Sequence, residues 1–353
     1  MTGDGAAQPT SAWLRALPKV ELHCHIEGTM RPSTVAELAR ANGVPLPTDD
    51  VATLFAYGGL TGFLEVFWLV QSTLVTPDDW ERLAVESMLD GAEHGLRYRE
   101  AFFTPARHLA AGQRLGEIVA ALDRGLATAE AATGARCRLI FDIDRAFGPE
   151  VARGHVAELA RLRREGRPGA DRVIGLGMDS TERGVDPLSF AEAYAMGAAA
   201  GLRLTAHQGE SSGAAEIAAA VDGLGCTRID HGISIFGDAE LVRRFADDRI
   251  PLTVCPNANV RINPDVVGSL GEHVFPAMRR AGLLATLNTD DPALVGLDLT
   301  TEYVLCAAAF GYGATEMAEI AADAVAASWL DDTDAAVLLA EIAVATAAGP
   351  PAA

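Results

Sequence analysis

Residues 17–29 read LPKVELHCHIEGT. The run 20–25 is short, with apolar Val20, Leu22 and Cys24 at every second position, a proline before it and a glycine after it, as a strand should be. Side chains alternate faces along a strand, so His23 and His25 point one way and Cys24 the other. If that strand ends at a shared mouth, the two imidazoles are half of a metal site. If it does not, they are a pair of surface histidines.

Further short apolar runs lie at 96–103, 137–144, 172–178, 202–207, 226–231, 250–255 and 283–289. Helical patterns separate most of them, at 32–42, 77–94, 115–132, 149–165, 188–201, 213–223, 238–247 and 270–281. Residues 302–346 are Ala-rich and largely helical in pattern. Eight such alternations predict an α/β fold, a (β/α)8 TIM barrel with extra helices after the first strand and at the C-terminus. A doubly wound sheet is the alternative. The first connection, about 70 residues, far exceeds an ordinary loop and is expected to cap a pocket. One domain is expected over 13–344, between flexible tails at 1–12 and 345–353.

Composition narrows the function. The chain has 353 residues, 49% hydrophobic and 22% charged, enough for a large core. Its 48 acidic and 28 basic side chains leave a formal charge of -20, which argues against a nucleic-acid or anionic-membrane partner. No uncharged apolar run approaches the roughly 18 residues of a membrane helix. No signal-peptide pattern opens the chain, so a cytoplasmic location is expected; the oligomeric state is left open. Cys24, Cys137, Cys226, Cys255 and Cys306 are widely spaced with no CxxC pair, which disfavours a disulfide scaffold or zinc ribbon. The only lysine is Lys19. A P-loop is therefore absent, and a Schiff base would have to use Lys19. A two-metal barrel bridged by a modified mid-barrel lysine also lacks its lysine, which favours one metal.

In a (β/α)8 barrel the C-terminal strand ends ring one mouth. The fifth run leads into His207, Gln208, Gly209 and Glu210, the sixth ends in Asp230 and His231, and the eighth leads into Asp290 and Asp291. Thus His23, His25, His207, His231, Glu210, Asp290 and Asp291 would converge. Nitrogen donors with one carboxylate suit zinc. A metal that acidifies water, beside a carboxyl that moves protons, implies metal-assisted hydrolysis.

The opening stretch resembles that of the adenosine/adenine deaminases of the amidohydrolase superfamily. So do HQGE at 207–210, RIDHG at 228–232, VCPNANV at 254–260 and LNTDDP at 287–292. The resemblance implies that His23, His25, His207 and Asp290 hold one Zn2+ or another divalent transition metal. It implies that Glu210 protonates purine N1, that His231 and Asp290 orient and deprotonate the attacking water, and that Asp291 binds N7. Leu60, Phe63, Leu64 and Phe67, at helical spacing, resemble the apolar helix covering the substrate. The implied activity is deamination of a 6-aminopurine, an adenosine-type nucleoside first, with adenine or a modified adenine as the alternative. Another amidohydrolase reaction and a non-catalytic purine-binding protein are the remaining readings.

Three departures bear on the substrate. Glu27 stands where nucleoside deaminases usually have Asp against the ribose, as in adenine deaminases. Ser180 takes the place of a glycine whose backbone N–H meets purine N3. Asp230 and Gln208 replace residues that are usually small. Arg107 and His108 are read either as substrate contacts or as a solvated loop, Asp142 and Asp144 as supporting groups, and His94, His155 and His273 as surface residues.

Overall fold

The computed structural model describes residues 8–350. Four long parallel strands come first: β1 (Lys19–His25), β2 (Leu96–Phe103), β3 (Arg136–Asp144) and β4 (Val173–Asp179). The fifth strand is in two pieces, β5 (Arg203–Leu204) and β6 (His207–Gln208). Three short strands follow: β7 (Ile229–His231), β8 (Leu252–Val254) and β9 (Ala285–Leu287). Pairing runs β1 to β5 in one sheet and β6 to β9 in another.

Backbone contacts join the two sheets at both seams. The fifth strand passes its pairing from β4 to β7: Thr205 N–H donates to Leu176 O (3.0 Å) and Asp230 N–H to Ala206 O (2.9 Å). This handover is why an expected continuous strand at 202–207 is split. At the other seam, Asp290 N–H donates to His23 O (3.1 Å) and His25 N–H to Asp290 O (2.9 Å). The chain is a (β/α)8 barrel, as its strand alternation predicts.

The long first connection carries the helices Pro32–Asn42, Val51–Leu54, Gly59–Ser72 and Pro77–Glu93. Three C-terminal helices, Leu299–Phe310, Ala314–Ala327 and Asp332–Ala348, complete the shell. The last runs past residue 345, where a tail was expected, and stops before Gly349 and Pro350, which cannot continue it. Its Ala345 carbonyl accepts from the Trp13 indole (3.2 Å), in a short helix Ser11–Ala16 capped by Thr10. Of the expected tails, residues 1–7 and 351–353 lie outside the described residues.

Both faces of the strands are buried, so polar residues on the inner face need partners inside the barrel. At the N-terminal end, fully buried Glu100 and Arg228 pair, with Tyr98 OH and Trp329 N–H also donating to Glu100. The Arg228 guanidinium stacks on Trp329 at 3.8 Å. Lys19 lies at this same end, its ammonium donating to the carbonyls of Leu14, Leu17 and His94. It is a structural clamp far from the mouth. Nearer the mouth, Glu21 takes an Arg99 N–H (2.7 Å) and the Thr289 hydroxyl (2.6 Å), tying β1 to the segment after β9.

Removing one partner of a buried pair leaves an uncompensated charge. Glu100→Gln is therefore expected to cost about 3–5 kcal/mol. Denaturant unfolding checks this; a loss under about 1 kcal/mol would show that Trp329 alone suffices for Arg228.

Candidate active site and metal centre

Strand geometry delivers the donors. His23 and His25 share the inner face of β1, while His207 begins β6. Asp290 follows β9 at φ 65°, a left-handed conformation that turns its side chain inward while its backbone bridges to β1. His231 (φ 61°) and Ser180 (φ 73°) also lie at strand ends with positive φ. Three of the four such non-glycine residues among those described thus sit at this mouth, where strain accompanies function.

One ligand atom from each of His23, His25, His207 and Asp290 lies within 4.8 Å of the others. His25 Nε2 and His207 Nε2 are 3.1 Å apart, and His23 Nε2 is 3.1 Å from Asp290 Oδ1. Hydrogen-bond polarity tests whether this set suits a cation. The Thr253 hydroxyl donates to Asp230 Oδ1 (2.8 Å), so its oxygen accepts from His23 Nδ1 (3.1 Å). That leaves the His23 Nε2 lone pair facing a carboxylate oxygen, which is repulsive unless a proton or metal lies between them. Burial, then neighbouring imidazoles, pushes His23 and His207 well down, and burial pushes His25 to about 4. The three rings present lone pairs at neutral pH, and three nitrogens with one carboxylate fit a divalent transition metal. Carboxylates stand behind the rings: Asp230 is 3.7 Å from His207 Nδ1 and Asp142 is 3.9 Å from His25 Nδ1.

Two further ionisable groups share the cleft. Glu210 and His231 both line it, with His231 Nδ1 3.7 Å from Glu210 Oε1. Burial raises the Glu210 carboxyl above its ordinary range. For His231, burial works the other way, but the Glu210 and Asp290 charges outweigh it and raise the pKa. Asp291 is buried with Oδ1 unpartnered, and burial followed by the Asp290 charge pushes its carboxyl well up. Only glycine fits beside it, since a Cβ on Gly28 would stand 1.9 Å from Asp291 Oδ1.

The helix Gly59–Ser72 covers the mouth. Leu60, Phe63, Leu64 and Phe67 face the cleft, which encloses about 450 Å³ including its open entrance. Phe67 meets the His25 ring edge-on at 6.0 Å. Asp179 and Ser180 form part of the wall; Glu27 sits one layer behind, bound by Thr104 N–H (2.9 Å) and Gln71 (3.4 Å). Burial raises Glu27 to about 7.

Other residues find different places. Gln208 is buried beside Glu182 and Ser212, not on the cleft wall. Arg107 stacks on Trp68 of the covering helix (3.8 Å) and faces Asp144 (3.6 Å), while His108 packs against Trp80. His273, expected at the surface, is buried and bonded to Asn259 (3.2 Å). It falls within the helical pattern at 270–281, but the chain makes a tight turn at Leu270–Glu272 and restarts at Phe275–Arg280, and His273 turns inward at the break. His94 is half-buried against Thr300. Sequence reasoning missed Glu182, which accepts from the N–H groups of Gly209 (2.7 Å), Glu210 (3.0 Å) and Ser211 (3.1 Å) and so shapes the loop carrying Glu210. It also missed Asn259, which donates to Glu210 (2.8 Å), although that residue lies in the quoted stretch 254–260.

A barrel whose mouth joins a cation-type donor set to buried carboxyls raised toward protonation is the architecture of a metal-assisted hydrolase. The family model described as adenosine deaminase matches residues 18–345. An adenine deaminase of Streptomyces coelicolor is 38% identical over 324 residues, 91% of this chain and 93% of that protein. One from Ralstonia nicotianae is 35% identical over 91% of this chain and 93% of its own. The crystal structure of adenine deaminase from Arthrobacter aurescens superposes with a TM-score of 0.87 at 33% identity, covering 93% of this chain and 99% of that one. A zinc-bound amidohydrolase from Burkholderia ambifaria gives 0.87 at 31%, covering 98% and 95%. The chain belongs to the adenosine deaminase family and is a hydrolytic purine deaminase.

Ser180 holds its left-handed backbone at a cost of about 1–3 kcal/mol. Ser180→Gly is expected to raise the thermal midpoint, because glycine adopts that conformation freely. An unchanged or lower midpoint would show that the serine side chain repays its strain.

Proposed function

We propose that this protein removes the 6-amino group of adenine as the free base, converting adenine and water to hypoxanthine and ammonia. The reading rests on one observation: Glu210 and Asp291, both raised toward protonation by burial, share a narrow cleft with the His23, His25, His207 and Asp290 donor set. A purine offers ring acceptors at N1 and N7 for two such carboxyls. Zinc suits the four donors, and the Burkholderia relative binds zinc. Bound there, it would supply the Lewis acidity that makes water acidic near neutral pH.

The protein's own groups do the rest. Glu210 gives a proton to N1 and leaves C6 electron-poor. His231 and Asp290 orient the attacking water and between them take its proton. Asp291 donates to N7, and the apolar side chains of the covering helix keep bulk water out. Hydroxide adds at C6, the C6–amino bond breaks, and the amino group leaves as ammonia after gaining a proton.

The free base is favoured over a nucleoside by the cleft wall. Asp179 lines it with Oδ1 unpartnered, and Glu27 Oε2 behind it is unpartnered too. A free purine carries an N–H on its five-membered ring where a nucleoside carries its sugar. The curated relatives named above are adenine deaminases. An adenosine-type or N6-modified substrate is the second reading, supported by the family model and by an N6-methyl-AMP deaminase of Arabidopsis thaliana (TM-score 0.81, 25% identity, 96% and 100% covered). A cytoplasmic setting agrees with five buried free thiols. No single described helix is long and apolar enough to cross a membrane.

Ammonia release from adenine, adenosine, 2'-deoxyadenosine, N6-methyladenine and AMP tests the assignment. Adenine is expected to exceed adenosine in kcat/KM by about 100-fold, the factor that about 3 kcal/mol for an unpaired buried polar group converts to; adenosine ahead of adenine would reverse the choice. Glu210→Gln should keep its metal and lose about 10²–10⁴ in kcat. His23→Ala should lose metal and activity together, and a variant retaining a full metal equivalent would remove His23 from the ligand set.

A further inference from the structure

Behind the catalytic groups runs a hydrogen-bonded chain that begins at a backbone amide. Phe275 N–H donates to His273 Nδ1 (3.0 Å). His273 Nε2 meets Asn259 Oδ1 (3.2 Å), and Asn259 Nδ2 meets both Glu210 Oε1 (2.8 Å) and His231 Nδ1 (3.1 Å). Asn259 and His273 are buried, and neither lines the cleft.

The polarity of this chain follows from its first member. A backbone N–H can only donate, so His273 Nδ1 accepts. Burial keeps the ring neutral, its pKa falling to about 4, which leaves the proton on Nε2 to donate to Asn259 Oδ1. Turning the Asn259 amide over would set its NH2 against that N–H. Its two hydrogens therefore point to Glu210 Oε1 and His231 Nδ1, and both of these atoms accept. Oε1 is then engaged as an acceptor, which leaves Oε2 to carry the Glu210 proton. Likewise, when the His231 ring is neutral, the state in which Nδ1 can accept, its one proton sits on Nε2.

We infer that Asn259 and His273 are positioning residues that set, from one backbone N–H, which oxygen of Glu210 bears the transferable proton and which nitrogen of His231 donates. Neutral His231 then meets the attacking water through Nε2–H, as a hydrogen-bond donor that orients it. This arrangement deepens the proposed mechanism and rests on its assignment of Glu210 as proton donor.

The test uses zinc-loaded full-length protein. His273→Phe keeps a flat ring but removes the donor, whereas His273→Gln can accept from Phe275 and donate to Asn259. His273→Phe should lower kcat on the order of 10-fold, a fraction of what a proton donor contributes, with KM and metal content little changed. His273→Gln should recover most of that loss. In a Glu210→Gln background His273→Phe should do almost nothing more, because residues acting as a unit are not additive. Equal loss in the Phe and Gln variants, or full additivity with Glu210→Gln, would overturn the inference and leave His273 a packing residue. If His273→Phe does not fold, the His231 tautomer decides. A two-bond 1H–15N spectrum at mildly alkaline pH, assigned with His231→Asn, should show Nε2 protonated; protonation at Nδ1 would overturn the inference. A fully active Glu210→Gln parent would instead refute the mechanism beneath it.

Discussion

The backbone of Asp290 bridges the first and last strands of the barrel, and its side chain completes the donor set. Its N–H and carbonyl bond to His23 and His25, the two residues whose rings share the cation site with its carboxylate. Ring closure and donor convergence are therefore one constraint. A left-handed backbone at Asp290 makes both possible, and Glu21 holds the same seam from beneath through Thr289. A change that loosens this seam would move His23 and His25 relative to Asp290.

Convergence gathers ionisable groups where water is scarce. Asp142, Asp179, Asp230, Glu210, Asp290 and Asp291 are all buried or nearly so around four imidazoles. Such a collection is unstable unless each charge is neutralised, bonded or shared. Asp230 is bonded by Thr205 and Thr253, Glu182 by three loop N–H groups, and Glu210 by Asn259. For several of the remaining carboxyls, burial raises the pKa. The mouth thus has a chemical gradient, with imidazole nitrogens gathered on one side and carboxyls raised by burial on the other.

Much of this was legible in the sequence, because strand periodicity is two and the chemistry sits at strand ends. The convergence of His23, His25, His207, His231 and Asp290 follows from alternation and barrel geometry, whereas the covering helix of Phe63 and Phe67 was legible only through the family resemblance, since any core helix shows that spacing. What escaped notice acts through loops. Glu182 matters because a turn brings three amide groups to one carboxylate, and no spacing rule encodes that turn. His273 was misplaced because a helical pattern over 270–281 hides a break at the residue that turns inward. Asp230 was visible only as an odd residue; its two threonine partners come from neighbouring strands.

The stitch between Trp13 and Ala345 has a consequence for engineering. It joins the first and last described helices at the face opposite the mouth, beside the start of β1. The order in which the chain visits the barrel is then separable from the chemistry at its rim. A short linker across that stitch would make the polypeptide a ring, which could be reopened in an exposed loop such as 165–168. Circular permutants cut there would keep every donor and carboxyl of the mouth on its original strand.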